Sequence, residues 1–218
     1  MLPSHGREAS SILVSRSELM TEEKQPISEQ EARKEAWLKR LASFIVIANG
    51  KTWAGDGAEV SPRRPGYKRL QWPYPEDKMT DKDKKDYESW EDWRLEDEYT
   101  GYFKGPGATT VYFKNRPVWV MSYGGPGLTK GYEAGVERTY EFLRAALRQV
   151  TSELPFRGPR IYVDGNKRYE FEIEGDLENS SWKERTMEDD VQTFAQTGQS
   201  DIVVGKDSNR QPVYPWDL

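Results

Sequence analysis

Apolar residues recur at helical spacing between Ser28 and Gly50. Leu38, Leu41, Ile45 and Ala48 form a stripe, with Trp37 and Phe44 beside them. Ser28 and Glu31 have the spacing of a capping box, and Asn49-Gly50 supplies a stop signal. A helix is predicted here. A second follows in "EAGVERTYEFLRAALRQV", where Val136, Tyr140, Leu143, Leu147 and Val150 share a face. Between the two helices the period changes. "YKRLQW" and "WRLEDEYTGYF" read as strands, and "TTVYFKNRPVWVMSY" as a hairpin turning near Asn115-Arg116. Strict alternation puts Val118 and Val120 on one face of the last strand, and Trp119, Met121 and Tyr123 on the other. Both faces are apolar, so something must cover the second one.

The order then repeats. "FRGPRIYVDG" takes the place of "RRPGYKRLQW", "KRYEFEIEGDL" that of "DWRLEDEYTGYF", and "IVVGKDSNRQPVYPW" that of "VYFKNRPVWVMSY", with Tyr214 matching Trp119. The predicted fold is α+β: an antiparallel sheet built from two similar helix-plus-strands halves, helices packed on one face. One helix on a few strands buries too little to be stable alone, and two copies share a core. Residues 28–218 form a single domain of two pseudo-repeats, 28–127 and 128–218. Residues 1–27 are polar and aperiodic and read as a disordered tail, with Met20 as a second candidate start. Residues 73–92 are a Pro-bounded, charged insertion in which Tyr87 and Trp90 suit a short amphipathic helix. "ENSSWKERTMEDDVQTFAQTGQS" reads as another excursion between strands.

Composition narrows the chemistry. The 218 residues carry 32 basic and 37 acidic side chains, a net charge of −5, which does not favour general binding to nucleic acid. There is no cysteine, which removes disulfides, thiol catalysis and Cys-ligated metal. The one histidine, His5, lies in the tail, which removes His-based triads and multi-His metal sites. No metal or other cofactor is called for. The chain has neither a signal-peptide core nor an apolar run of membrane-spanning length, so a cytoplasmic protein is expected.

Several stretches together resemble a known family. "TWAGDGAE", "RRPG", "EDEYTGYFKG", "VYFKNRPVWVMSYGG" and "LPFRGPRIYVDGNKRYEFEIEGD" are similar to a bacterial family of uncharacterised domains. In some members that domain follows a helix-turn-helix DNA-binding domain. The resemblance runs from about Phe44 to Asp176. It implies functional weight at Arg64, Pro65 and Gly66, at Asp97, Tyr99, Gly101, Phe103 and Gly105, and at Trp119, Met121 and Tyr123. The 73–92 insertion and "PGATT" after Gly105 depart from the family pattern.

The candidate ligand-binding residues are Trp53, Arg64, Asp97, Tyr99, Trp119 and Tyr123. Alternation places Asp97 and Tyr99 on one strand face with Leu95. A carboxylate among apolar neighbours needs a partner, and Arg64 in the preceding segment is the natural one. Trp119 offers a flat ring for stacking. In "GDGAEVSPRRPGYKR", Gly55 and Gly57 would let the backbone approach a ligand, and Arg63 and Arg64 could hold an anion. The plainer reading is a tight surface loop, since the stretch matches no phosphate-binding fingerprint. The function that emerges is a small-molecule-binding sensor or interaction domain, its partner a small molecule or a protein. Two alternatives stand beside it. One is a hydrolase of a sugar or nucleotide-like substrate working through two carboxylates, Asp56 and Asp97, with Trp53 and Trp119 as stacking platforms for a sugar. The other is a protein that forms a homodimer through an open sheet face.

Overall fold

The computed structural model describes residues 28–55 and 57–218. The first helix, α1 (Glu29–Lys51), begins at a reciprocal capping box between Ser28 and Glu31 and buries Leu41, Phe44, Ile45 and Ala48. Strands β1 (Lys68–Trp72), β2 (Trp93–Tyr99), β3 (Gly107–Phe113) and β4 (Arg116–Leu128) follow as an antiparallel meander. Helix α2 (Asp81–Tyr87) lies between β1 and β2, and α3 (Val136–Leu147) follows β4. The chain then returns through β5 (Ile161–Asp164), β6 (Lys167–Gly175), β7 (Asn179–Glu188) and β8 (Val191–Ile202). One eight-stranded antiparallel sheet results, in the order β1-β2-β3-β4-β8-β7-β6-β5, with β4 and β8 paired at its centre. The class is α+β.

One face of the sheet and both long helices share a hydrophobic core. Trp72, Trp93, Leu95, Val111, Met121 and Phe171 meet Phe44 and Ile45 of α1 and Phe142, Leu143 and Ala146 of α3. The other face is polar, and its charges answer one another along the strands. Glu96 accepts from both Arg63 and Arg94, Glu170 pairs with Arg168 and Arg185, and Glu172 with Lys183.

The doubly apolar strand is explained by a bulge. Val111 pairs with Trp119 and Tyr112 with Pro117, so Val118 is an extra residue in β4. A bulge breaks the alternation, and Val118 and Trp119 are both fully buried in the core. Only Val120 is left half-buried on the other side. No large apolar patch therefore demands a second cover there.

Two expectations about the second half change. Residues 178–200 are not an excursion: they are most of the β7–β8 hairpin, which supplies the central neighbour of β4. Its two-residue turn, Asp189-Asp190, has positive φ at both positions, as does Lys114-Asn115 between β3 and β4. Conversely, "KDSNRQPVYPW" is no counterpart of the β3–β4 hairpin. Two-residue strands β9 (Gly205–Lys206) and β10 (Pro212–Val213) pair only with each other, and Tyr214 stacks on Trp216, which meets Trp37 of α1.

The charged insertion is folded onto the core. Thr80 and Asp83 cap α2 reciprocally, and Lys51 at the end of α1 bonds to Asp83 at 2.8 Å and Asp86 at 2.9 Å. Tyr87 and Trp90 pack against the cluster. The N-terminal tail, with His5 and Met20, lies outside the described residues.

Candidate functional site

A cavity of about 390 Å³ opens between the core face of the sheet, α3 and the loop after α1. Its polar floor begins with Asp97 on β2, which is 2% exposed. Thr109 sits directly opposite on β3 and donates its hydroxyl to Asp97 Oδ1 at 2.7 Å. Tyr123 reaches the same carboxylate from β4, its hydroxyl 2.9 Å from Oδ1 and 3.0 Å from Oδ2. The residue paired with Tyr123 is Gly107, and a Cβ there would lie 2.5 Å from the Tyr123 hydroxyl and 2.6 Å from the Glu98 carbonyl oxygen. Only glycine at 107 lets the ring cross β3 to reach Asp97.

Burial raises the pKa of Asp97 to about 6, although the hydrogen bonds from Thr109 and Tyr123 and the charge of Arg157 oppose the shift. Burial and the neighbouring Asp97 push the Tyr123 phenol well above its ordinary value. Tyr123 is therefore the hydrogen-bond donor of the pair and Asp97 the acceptor.

Arg157, in the loop after α3, is the buried cation of the cavity. Its Nε and Nη2 both donate to Glu184 Oε1, at 3.1 and 2.9 Å, and Glu184 Oε2 accepts from the Tyr169 hydroxyl at 2.9 Å. Burial works against the guanidinium charge, but the charge and hydrogen bonding of Glu184 outweigh it, so Arg157 stays protonated. Its guanidinium carbon lies 5.5 Å from the Trp53 ring centre, 5.9 Å from Tyr123 and 5.8 Å from Trp182.

Apolar walls come from Trp53, Leu70, Tyr99, Leu143, Leu147 and Phe194. One edge is the Gly124–Gly127 segment, where β4 loses register against β8. Gly127 has φ +73°, and a side chain there would strike the carbonyl of Phe103, to which the Leu128 amide donates at 2.7 Å. The loop carrying exposed Tyr102 and Phe103 is thus held at the mouth. Tyr102 bonds through its hydroxyl to Glu137 of α3, and its carbonyl accepts from Tyr140 at 2.7 Å. Lys68, paired with Glu59 at 2.8 Å, and Arg144 complete the rim.

Of the six residues nominated from sequence, Trp53, Asp97, Tyr99 and Tyr123 line this one cavity. Arg64 does not reach it. Its guanidinium stacks 3.8 Å from the Tyr67 ring centre and contacts Glu98 at 3.3 Å, because Glu98 projects to the outer face and Asp97 to the inner. The expected Arg64–Asp97 pair is absent. Trp119 is core, its Nε1 donating to the Leu177 carbonyl at 3.2 Å. Asp56, the second carboxylate of the hydrolase alternative, lies outside the described residues. Sequence reasoning missed Arg157, Gln196, Tyr140 and Phe194. The one signal for Arg157 was a charge between Phe156 and Gly158 in "LPFRGP".

Residues 97–198 match the family model of DUF5680, a domain of unknown function. The DUF5680 match starts at Asp97 and takes in Tyr123, Arg157, Glu184 and Gln196, the polar floor of the cavity. Trp53, Leu70 and the Lys68–Glu59 rim pair lie before it. Among curated proteins and solved structures, nothing matches the chain. Among the described residues no acidic or histidine cluster has the makings of a metal site, and no helix is long and apolar enough to cross a membrane.

Proposed function

We propose that this protein binds a small molecule in the cavity above Asp97. The observation that carries the reading is the composition of one cleft: aromatic and aliphatic walls around a few convergent buried polar groups, at a volume suited to a small ligand. The resemblance to domains that follow a helix-turn-helix in some family members fits a sensory role for such a pocket. A thermal-shift screen of metabolite-sized compounds tests it. Hits should raise the melting temperature of the wild type and fail to do so for Leu143→Trp, which fills the cavity from α3. A screen without hits, or hits that stabilise the filled variant equally, would sink the reading.

Asp97 also has the titration range of a general base, which favours a second, catalytic reading. Turnover of a bound compound that disappears in Asp97→Asn would support it, and stable compounds recovered unchanged would remove it. The two halves also lend themselves to a duplication reading, each being a helix followed by a four-stranded meander whose last strand reaches the sheet centre. In that reading β7–β8 answers β3–β4. A superposition in which β5–β8 fail to overlie β1–β4 in order would remove it.

A further inference from the structure

Three charged side chains are buried around the cavity floor: Asp97, Arg157 and Glu184. Arg157 and Glu184 neutralise each other through two hydrogen bonds, and Tyr169 takes the other oxygen of Glu184. Asp97 is left with two neutral donors, Thr109 and Tyr123, and no ion pair. A buried carboxylate without an ion pair is costly, and its two hydroxyl donors fill its hydrogen bonds without matching its charge. We infer that the ligand supplies the missing charge: the cavity takes an organic cation, an arylalkylamine or amidine whose protonated nitrogen meets Asp97 while its apolar body lies against Leu143, Leu147 and Phe194. This inference rests on the cavity being a ligand site.

The walls agree with that chemistry. Trp53, Tyr99 and Tyr140 line the space, and an aromatic ring that turns its face to a cation attracts it. An anion would sit beside the like charge of Asp97, and the Arg157 charge, already matched by Glu184 through Nε and Nη2, would leave it chiefly the Nη1 donors. A neutral ligand would leave Asp97 unpaired. Other charges act on Asp97 as well. Glu98, on the outer face of the same strand, disfavours its charge, and Arg157, itself paired with Glu184, favours it. At the solvent-open rim stand Lys68, already held by Glu59, and Arg144, where screening weakens their repulsion. The titration of Asp97 near pH 6 adds a signature: cation binding weakens as pH falls through that value.

Matched probes decide it. Benzylamine and 2-naphthylmethylamine, the corresponding alcohols, and benzoate and 2-naphthoate are titrated calorimetrically into the full chain near neutral pH. An amine should bind at least about tenfold more tightly than its alcohol and carboxylate. The preference should vanish in Asp97→Asn and, in the wild type, fade on acidification. An alcohol or carboxylate binding as tightly as the amine overturns the charge assignment and leaves the cavity a ligand site. A preference that survives in Asp97→Asn overturns the role of Asp97. No binding by any probe overturns the inference, while the binding reading stands or falls on the thermal-shift screen. Should Asp97→Asn fail to fold, the wild-type series decides the charge assignment, and an amine preference that does not fade on acidification overturns the role of Asp97.

Discussion

Tyr123 spans β3 to hold Asp97, its hydroxyl within 3.0 Å of both carboxylate oxygens. The contact joins a residue of the sheet's fourth strand to one of its second, and it passes over Gly107. It also fixes the character of the site. A phenol can donate a hydrogen bond to the carboxylate but cannot neutralise it, so Asp97 is a buried acid on the cavity floor with no ion-pair partner of its own.

Asp97 should make the protein less stable at neutral pH than at mildly acid pH. Its folded pKa of about 6 lies above the ordinary aspartate value of 3.8, so the folded state binds the proton more tightly than the unfolded state. The stability contributed by this group is fully present below the unfolded pKa and is lost as pH rises through about 6, to the extent of about 3 kcal/mol. Asp97→Asn should therefore melt higher than the wild type above neutrality, with the advantage shrinking on acidification. Urea denaturation across the pH range checks this. A variant less stable at every pH would mean that the carboxylate itself holds the fold.

Tyr123→Phe removes a donor that favours the ionised carboxylate. The Asp97 pKa should rise further, and folding should weaken by about 1–2 kcal/mol. Carboxyl-carbon NMR of selectively labelled protein reads the first effect, and denaturant midpoints the second.

Trp119 is fully buried, so Trp119→Ala should cost about 3–5 kcal/mol by leaving a cavity and an unpaired Leu177 carbonyl. The loss should appear whether or not a ligand is present. A change of only about 0.5 kcal/mol, the size typical of surface substitutions, would place the ring at the surface after all.

Removing either Arg157 or Glu184 strands a buried charge. Arg157→Met and Glu184→Leu should each destabilise by about 3–5 kcal/mol, and the double variant by less than the sum. A double-mutant cycle measures the coupling; strictly additive losses would show that the pair is not one unit.

Lys51 ties α2 to the end of α1 through Asp83 and Asp86. Lys51→Ala should speed tryptic cleavage at Lys82–Lys85 while leaving global stability within about 1 kcal/mol of the wild type. Unchanged cleavage would mean that Tyr87 and Trp90 hold the segment by themselves.

The local chain was enough to define the elements whose inner faces are apolar. The stripes of α1 and α3, the alternation of β2 and the β3–β4 hairpin could all be read directly, because each carries its period and its stop signals within a few residues. So could the company Asp97 keeps with Leu95 and Tyr99. The rest needed the assembled sheet. The buried face of β7 is Ser180, Trp182, Glu184 and Thr186, a pattern that looks like a solvated loop until Ser200 and Thr193 of β8 and Tyr169 of β6 meet its hydroxyls and carboxylate. Alternation shows which residues share a face, not which face is covered. Trp119 and Arg64 therefore landed away from the cavity, and a single extra residue in β4 turned both Val118 and Trp119 inward. Arg157 became a site residue only through Glu184, 27 residues on. A buried charge takes its meaning from a partner that the fold, and not the local chain, brings to it.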